Sequence, residues 1–276
     1  MGTLFLVGTP IGNLQDMTFR GVDTLKSVDL IACEDTRHTA KLLQNFHITT
    51  PTISYHQHNC HQRLPELIQI LTGGRSIALV TDGGQPAISD PGLELVQACI
   101  QAHISIVPIP SATAGITALI CSGLPTDRFV FEGFLPTTGK EGKARLESLQ
   151  QEERTIILYE APHRLLSTLQ TLKAVLGPDR RLAISRELTK IHEQFWRGTI
   201  QECVDYFHAH PPKGEFTIVI AGKPSTPMSW NDTDLQRELA QLCQQGMSKS
   251  AASKYLAEIT QLPRRYIYQL SLGLEQ

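Results

Sequence analysis

The sequence predicts an α/β protein, made of two α/β domains and a small helical segment at the C-terminal end. Short apolar runs rich in β-branched residues, such as Ile77 to Val80, are typical of strands buried in a parallel sheet. Amphipathic segments of helical length separate these runs, and this alternation favours a sheet with helices on its faces. Glycine- and proline-rich loops follow several runs directly, as expected where strands end.

The first predicted domain covers residues 1–122, and its elements alternate regularly. Apolar β-branched runs predict strands at 3–8, 30–33, 77–80 and 104–108. Amphipathic or small-residue patterns predict helices at 18–26, 36–43, 63–71, 91–103 and 111–122. Thr18 is a residue type that caps helix N-termini, as are Asp35 and Thr36, so they place the starts of the first two helices.

The pattern changes at Gly123-Leu124-Pro125, where we place the start of a second α/β domain, residues 123–226. Apolar runs predict strands at 129–134, 155–159, 181–185 and 214–222, and amphipathic patterns predict helices at 139–152 and 163–176. We expect more antiparallel pairing here than in the first domain. Residues 224–227 are typical of a linker, and the segment 227–276 is predicted to be helical, with 246–256 resembling part of a helix-turn-helix.

The composition is that of an ordinary globular protein, since 41% of the 276 residues are hydrophobic and 19% are charged. No apolar run is long enough to span a bilayer and the N-terminus has no signal-peptide pattern, so we expect no membrane association. Six scattered cysteines without a Cys-x-x-Cys pair favour a cytoplasmic location. The net charge of −2 argues against a broadly basic nucleic-acid surface but allows a local basic groove.

The loop 82–92 has the composition of a ligand-binding loop. Its glycines allow a ligand to approach the backbone closely and its prolines fix the loop shape, with Asp82 as a polar contact. Loops 7–13 and 108–114 also follow strands, and ligands bind at the carboxyl ends of strands in open α/β sheets. We therefore expect one crevice for a flat, polar ligand. For the loop 82–92, the alternative is a tight strand-to-helix turn without a ligand. The sequence has neither a dinucleotide-binding nor a P-loop motif.

Charged residues follow three other predicted strands. Asp35 and Arg37 are candidates for a substrate site, or alternatively form a helix N-cap with a surface ion pair. Glu160 belongs to a mixed acid–base motif, and Arg186 and Lys190 suit phosphate contacts, unless these motifs are solvated ion-pair clusters. The histidines at 56, 58 and 61 do not have the spacing of a known zinc motif, so we expect no metal site.

Several motifs, in this order along the chain, are similar to those of one family. They are Val7 to Leu14, Cys33 to Arg37, Ser54-Tyr55-His56, Asp82 to Gly92, Gly123 to Phe129, Glu132 to Pro136, Tyr159 to Arg164, Arg186 to Lys190 and Lys213-Gly214-Glu215. From about residue 3 to 224, the chain resembles the ribosomal RNA small subunit methyltransferase I family. That family belongs to the tetrapyrrole-methylase-like group of S-adenosylmethionine (SAM) enzymes.

The resemblance implies 2′-O-methylation of a cytidine ribose in the decoding region of 16S rRNA, with the small ribosomal subunit as partner. It also implies a homodimer, and SAM bound in the cleft between the two α/β domains. The cofactor contacts that it implies here are Pro10, Ile11, Asp82, Gly83, Gly84, Gln85, Pro86, Ser111, Ala112, Thr113, Tyr159 and Leu188.

This chain departs from the family pattern in two of the three loops. The glycine loop of the family usually reads Asp-Ala-Gly-Thr-Pro-Leu-Ile, whereas residues 82–88 read Asp-Gly-Gly-Gln-Pro-Ala-Ile. Ser111 stands where the family usually has glycine, and it is compatible with that position only if a positive φ is not needed.

The sequence leaves the catalytic residues open. Methyl transfer is an in-line displacement that depends mostly on positioning, but a ribose hydroxyl is a weak nucleophile and benefits from a proton acceptor. The candidates are Asp35, Glu160 and Glu187 as proton acceptors, and Arg37, Arg186 and Lys190 as groups that stabilise negative charge or hold phosphates.

Two other functions are compatible with these motifs. One is a small-molecule methylase of the same fold that acts on a tetrapyrrole, and the other is a non-catalytic RNA-binding or ribosome-assembly protein. The C-terminal segment either contacts rRNA phosphates or forms a helical cap that packs on the dimer. Its candidate RNA contacts are Lys249, Lys254, Arg264, Arg265 and Tyr266.

Overall fold

A computed structural model describes residues 1–136, 139–224, 230–260 and 262–273. Met1–Lys223 form one compact unit and Pro224–Gln276 form a second. Of the predicted linker 224–227, all but Pro224 lies outside the described residues, as do positions 228–229, 261 and 274–276 of the predicted C-terminal segment.

The first sheet consists of five parallel strands in the order β3-β2-β4-β1-β5. The strands are β1 (Thr3–Val7), β2 (Leu30–Cys33), β3 (Thr52–Ser54), β4 (Ile77–Val80) and β5 (Ser105–Ile109). Four helices connect them: α1 (Phe19–Ser27), α2 (Thr36–Asn45), α3 (Cys60–Thr72) and α4 (Leu93–Gln101). A single turn of 3-10 helix, Leu14–Asp16, follows β1.

Helices cover both faces of this sheet, because successive residues of each strand point to opposite sides. Ile77 and Leu79 belong to the core shared with α3 and α4, whereas Ala78 and Val80 belong to the core shared with α1 and α2. All four residues of β4 are buried. The predicted parallel sheet with helices on its faces is therefore confirmed.

The second sheet has the order β6-β7-β10-β8-β9. Its strands are β6 (Phe129–Phe134), β7 (Thr155–Glu160), β8 (Arg181–Arg186), β9 (Gln194–Thr199) and β10 (Phe216–Ile220). Only β6 and β7 pair in parallel, and the other pairs are antiparallel, as expected. The helices of this part are α5 (Ala114–Ser122), α6 (Gly139–Gln150), α7 (Pro162–Leu176) and α8 (Ile200–Ala209).

The helix α5 follows the last strand of the first sheet but packs against the second one. Its Ala118 and Leu119 share a core with Ile157 of β7 and Val219 of β10. On the opposite face of the second sheet, α7 and α8 contribute to the largest apolar cluster. Since α5 joins the two sheets within one compact unit, the division into domains at 122/123 remains a prediction.

The C-terminal unit contains the helices α9 (Asp232–Gln244), α10 (Lys249–Thr260) and α11 (Arg264–Leu272). They pack around a small core of Leu239, Ala252, Leu256 and Ile267. This agrees with the helical pattern predicted for the segment. Within the described residues, no helix has the length and apolar character needed to cross a membrane.

Candidate functional site

A cleft of about 750 Å³ lies at the carboxyl ends of β1 and β4 and extends to β7, β8 and β10 of the second sheet. It is walled by the loops after β1, β4 and β5 on one side. The N–H of Thr9 donates to the Gly84 carbonyl (2.9 Å), and the N–H of Gly84 donates back to the Thr9 carbonyl (3.0 Å). The N–H of Gly8 donates to the carbonyl of Ile109 (3.1 Å). These bonds hold the loops together as one surface.

The loops approach each other so closely at Gly8 that no side chain fits there. A Cβ atom on Gly8 would lie 2.4 Å from Nε2 of Gln85 and 2.6 Å from Cβ of Ser111. At Gly83 the nearest atom would be the Pro10 carbonyl oxygen at 3.4 Å, which is an ordinary contact. The sequence departure at Gly83 is therefore not imposed by lack of space. Glycine at position 8, by contrast, is required by packing.

Two of the other departures, Ser111 and Ala87, differ in their backbone conformation. Ser111 is not among the residues with positive φ, so it meets the condition set for serine at this position. Ala87 and Ser89 do adopt positive φ, at 68° and 62°. Residues other than glycine rarely take this conformation, and each such residue costs about 1–3 kcal/mol. The loop 87–92 is therefore held in a strained shape beside the cleft.

Three buried hydroxyl groups line the cleft, those of Thr39, Thr81 and Ser185, and the Ser185 hydroxyl has no hydrogen-bond partner among the described residues. Each of these residues is at most 3% exposed. A buried polar group without a partner costs about 1–3 kcal/mol, so such groups usually meet a ligand or water. Together with the close loops, they fit a ligand that carries several polar atoms, as the predicted cofactor does.

Carboxylates gather where β2 and β4 end. Asp82 lies 3.5 Å from Nδ1 of His38 and accepts a bond from the Asp35 N–H at 3.4 Å. Asp90 also lines the cleft, and partial burial, with the nearby charges of Glu34 and Asp82, raises the pKa of Asp90 to about 6. Burial and the charge of Asp82 also raise the pKa of Glu34.

Asp35 caps the N-terminus of α2, and it lies outside the cleft lining. It accepts a hydrogen bond from the N–H of Arg37 (2.8 Å) and two from its guanidinium (3.1 and 2.8 Å). These bonds hold the pKa of Asp35 well below its usual range. The Arg37 side chain is 90% exposed. Of the two alternatives for this motif, the geometry matches the N-cap with a surface ion pair.

Glu160 lines the cleft, but its carboxylate is buried and fully engaged. One oxygen accepts a hydrogen bond from the Ala161 N–H (2.8 Å) and lies 3.2 Å from Nε of Arg164. The other accepts a hydrogen bond from the Thr168 hydroxyl at 2.5 Å. Arg164 in turn donates to the Leu135 carbonyl (2.7 Å). The arrangement ties the end of β7 to the first turns of α7.

Lys190 lies between the two walls of the cleft. Its amino group contacts Glu187 at 2.9 Å and Glu215 at 2.8 Å. Partial burial by itself would lower the pKa of the Lys190 amino group. The two carboxylates outweigh this effect, so the pKa of Lys190 lies above its usual value. A Cβ atom on Gly12 would lie 2.4 Å from Cγ of Lys190, so the loop after β1 passes directly beside it. Arg186 is turned to other partners, the Lys213 carbonyl and the Gln194 side chain.

Most of the residues predicted for the site face the cleft, and a smaller group does not. Those that line it are Pro10, Ile11, Asp82, Gly83, Gly84, Gln85, Thr113, Tyr159, Glu160, Leu188 and Lys190. Those outside its lining are Asp35, Arg37, Pro86, Ser111, Ala112, Arg186 and Glu187. Lining residues that sequence reasoning did not select include His38, Thr39, Asp90, Phe134 and Glu215. Of these, Asp90, Phe134 and Glu215 had a detectable signal, because each belongs to one of the motifs on which the family resemblance rests.

Comparisons with known proteins agree with this fold. The family profile of tetrapyrrole (corrin/porphyrin) methylases matches residues 3–204. A protein of Synechocystis sp. called ribosomal RNA small subunit methyltransferase I is 61% identical over 276 residues, covering 100% of this chain and 99% of that protein.

Two solved structures share the fold at low sequence identity. A cobalt precorrin-4 methyltransferase is 16% identical, with a TM-score of 0.62, over 79% of this chain and 94% of the other. A uroporphyrin-III C-methyltransferase of Thermus thermophilus, complexed with S-adenosyl homocysteine, is 17% identical, with a TM-score of 0.57, over 79% and 97%.

Proposed function

Since this chain belongs to the tetrapyrrole methylase family, and within it to the ribosomal RNA small subunit methyltransferase I group, we propose that it 2′-O-methylates a cytidine of 16S rRNA. It is a SAM-dependent methyltransferase, and an rRNA substrate follows from its group. The observation that carries the proposal is the cleft itself, which close-packed strand-end loops and buried hydroxyl groups line, in a chain that matches its relative over the full length.

We assign SAM to the wall made by the three strand-end loops. The residues that would hold it are Pro10, Ile11, Asp82 to Gln85, Thr113, Tyr159 and Leu188. Pro86, Ser111 and Ala112 would support these loops from outside the lining. Bound SAM supplies an electrophilic methyl group on a positively charged sulfur, and the protein has to align the acceptor oxygen with it.

Tyr159 is well placed for such alignment, because its own position is held from several sides. Its hydroxyl accepts a hydrogen bond from the N–H of Gly115 (3.1 Å), at the start of α5. The rings of Phe131 and Phe134 contact it edge to face, with centroids 5.0 and 5.8 Å away. Phe134 is also half exposed at the cleft, where an unstacked base could pack against it.

Among the candidate catalytic residues, the contacts favour different roles. Lys190 lines the cleft and suits a phosphate contact or stabilisation of negative charge, and Arg37 is exposed enough to meet RNA. Arg186 and Glu187 hold the loop that carries Lys190. Asp35 and Glu160 are neutralised by Arg37 and Arg164, so we propose that they position α2 and α7 and do not accept protons.

The proposed function is tested by transfer of a labelled methyl group to small ribosomal subunits that lack the modification, followed by mapping of the modified nucleotide. We expect one labelled cytidine in the decoding region, protected from alkaline hydrolysis at its 3′ side. Free 16S rRNA in a parallel reaction shows whether the assembled subunit is needed. Label transferred only to a tetrapyrrole, or SAM binding without any transfer, would support one of the two other functions instead.

We also propose that the protein is a homodimer in the cytoplasm, where its six unpaired cysteines would stay reduced. Apolar side chains that are exposed on α5 and β6 support a protein contact there: Ile116, Ile120, Phe129 and Phe131. The start of α5 lies beside β6, since a Cβ atom on Gly115 would lie 3.6 Å from the Phe131 ring. Exposed apolar patches of this kind usually mark an interface.

Ile120→Asp is therefore expected to convert a dimer to a monomer at micromolar concentration, because it replaces one of these exposed apolar side chains with a charged one. Sedimentation equilibrium measures the change. Ile100→Asp is the matched control, since Ile100 is similarly exposed but lies on α4 of the first sheet, and it should remain dimeric. A wild-type monomer, or a dimer that tolerates Ile120→Asp, would contradict the assignment of this face.

Deletion of residues 230–276 decides between the two roles of the C-terminal unit. If the unit contacts rRNA, the truncated protein should bind 16S rRNA more weakly. Its affinity should also depend less steeply on salt, because the slope of the logarithm of the binding constant against the logarithm of salt concentration falls by about 1 for each phosphate contact that is lost. SAM affinity should not change, because all residues that line the cleft lie in Met1–Lys223. Loss of SAM binding together with RNA binding would assign the unit a structural role.

A further inference from the structure

We propose that Asp90 is the proton acceptor for the ribose hydroxyl, an inference that rests on the proposed methyl transfer. Asp90 lies in the cleft lining, at the end of the loop that carries Asp82 to Gln85. The strained backbone at Ala87 and Ser89 sets the direction of the loop just before it. Strain of this kind persists where the surrounding structure holds a functional geometry in place.

Asp90 differs from the other carboxylates that line the cleft, Asp82, Glu160 and Glu215, in its charged surroundings. Asp35 pairs with Arg37, Glu160 with Arg164, and Glu187 and Glu215 share Lys190. Asp82 faces His38. In the part of the chain that the structure describes, no ion pair involves Asp90. Its carboxylate is therefore available to a proton that arrives from a substrate.

The groups that face Asp90 make it a stronger base than an ordinary aspartate. Glu34 after β2 and Asp82 after β4 add negative charge, and a hydrogen bond from the Thr81 hydroxyl partly offsets this. Tyr159 of β7 is close enough for the charge of Asp90 to act on it. Burial is the largest effect, and the pKa of about 6 compares with 3.8 for an unperturbed group. At pH 7 to 8 the carboxylate is still ionised, which is the state that can accept a proton.

Methyl transfer with Asp90 as the proton acceptor needs no further reactant. The hydroxyl oxygen bonds to the methyl carbon and gives its proton to an oxygen of Asp90, while the electron pair of the carbon–sulfur bond returns to sulfur. The methyl ether and the neutral thioether leave the cleft, and the Asp90 proton passes to solvent. Acceptance of the proton by a positioned carboxylate typically contributes a factor of about 10²–10⁴ to the rate.

Asp90→Asn is expected to slow single-turnover methyl transfer to small subunits by about 10²–10⁴-fold at pH 8, with SAM saturating. The wild-type rate should rise about tenfold per pH unit below the pKa of about 6, because the protonated carboxyl cannot accept a proton, and should level off above it. Asp90→Asn should lose this dependence, whereas Asp90→Glu should keep it at a reduced rate. Asp127→Asn makes the same chemical change at an exposed position and should behave as wild type.

SAM affinity, measured by calorimetry on the same variants, separates catalysis from binding. We expect Asp90→Asn to bind SAM within about threefold of wild type, well under the tenfold change that 1.4 kcal/mol produces. Three results would overturn the proposal. They are a wild-type rate for Asp90→Asn, an Asp90→Asn rate that still falls at low pH as the wild-type rate does, and a loss of rate that weaker SAM binding explains wholly. Failure of the wild-type protein to methylate small subunits would instead overturn the proposed function, and the role of Asp90 with it.

Discussion

Replacing Gly8 with alanine is expected to weaken SAM binding by about 10- to 100-fold, since overpacking of this kind costs about 1–3 kcal/mol. The new Cβ would lie 2.6 Å from Cβ of Ser111 and 2.4 Å from Nε2 of Gln85. The Gln85 amide can rotate away, but Ser111 can move only with its backbone. The loop after β5 therefore has to shift from the loop after β1, and the wall assigned to SAM opens.

Gly83→Ala is the matched control, because it adds the same methyl group to the same wall with no contact closer than 3.4 Å. It also restores the residue that the resembled family usually carries. We expect this variant to bind SAM at least as tightly as wild type. Calorimetric titration with SAM, alongside thermal unfolding of each variant, checks both results. Equal SAM affinity for Gly8→Ala and wild type would show that the loops do not act as one surface.

Replacing Glu160 with alanine is expected to lower the free energy of unfolding by about 3–5 kcal/mol, the range found when one partner of a buried ion pair is removed. The Glu160 side chain is only 1% exposed, and its loss leaves Arg164 without its ion-pair partner and the Ala161 N–H and the Thr168 hydroxyl without their acceptor. Because these groups join β7 to α7, the whole second sheet should lose stability.

Glu160→Gln is the control that separates a structural role from proton transfer. It keeps an acceptor oxygen but loses the charge, so we expect a smaller loss of about 1–3 kcal/mol. At temperatures where it is folded, its single-turnover rate should stay close to wild type. The rate should also fall at low pH as the wild-type rate does. Urea unfolding and the methyl-transfer assay measure the two quantities. A folded Glu160→Gln with a rate that is 100-fold lower would return Glu160 to the candidate proton acceptors.

Strong local patterns were sufficient for most of the fold. The strands Leu30–Cys33, Ile77–Val80 and Phe129–Phe134 have the predicted bounds, and Thr18 and Asp35 both cap the helices that they were expected to begin. The short edge strand β3 was not predicted, because three residues with a single aliphatic side chain carry too little periodicity. Two elements that follow β8 were also missed.

The sequence did not predict β9 and α8, for two different reasons. The strand β9 lies at the edge of its sheet and mixes polar with aromatic residues, so its pairing depends on the register with β8. The helix α8, in contrast, had a readable signal in its capping box, where Thr199 and Glu202 satisfy each other's backbone N–H groups. The predicted helix at 111–122 began too early, because its first three residues belong to the loop beside the cleft.

By itself, the sequence determined the class of fold, the three strand-end loops and the chemistry expected of them. Glycine, proline and apolar periodicity act over a few neighbouring residues, so those features are readable locally. Only the tertiary structure decided what each charged side chain does, because its partners come from other elements. Folding pairs Glu160, at the end of β7, with Arg164 on the helix that follows. It also brings Glu34 and Asp82, which follow two different strands, close to Asp90. Burial and neighbouring charge set the basicity of a carboxylate, and neither is visible in the chain before it folds.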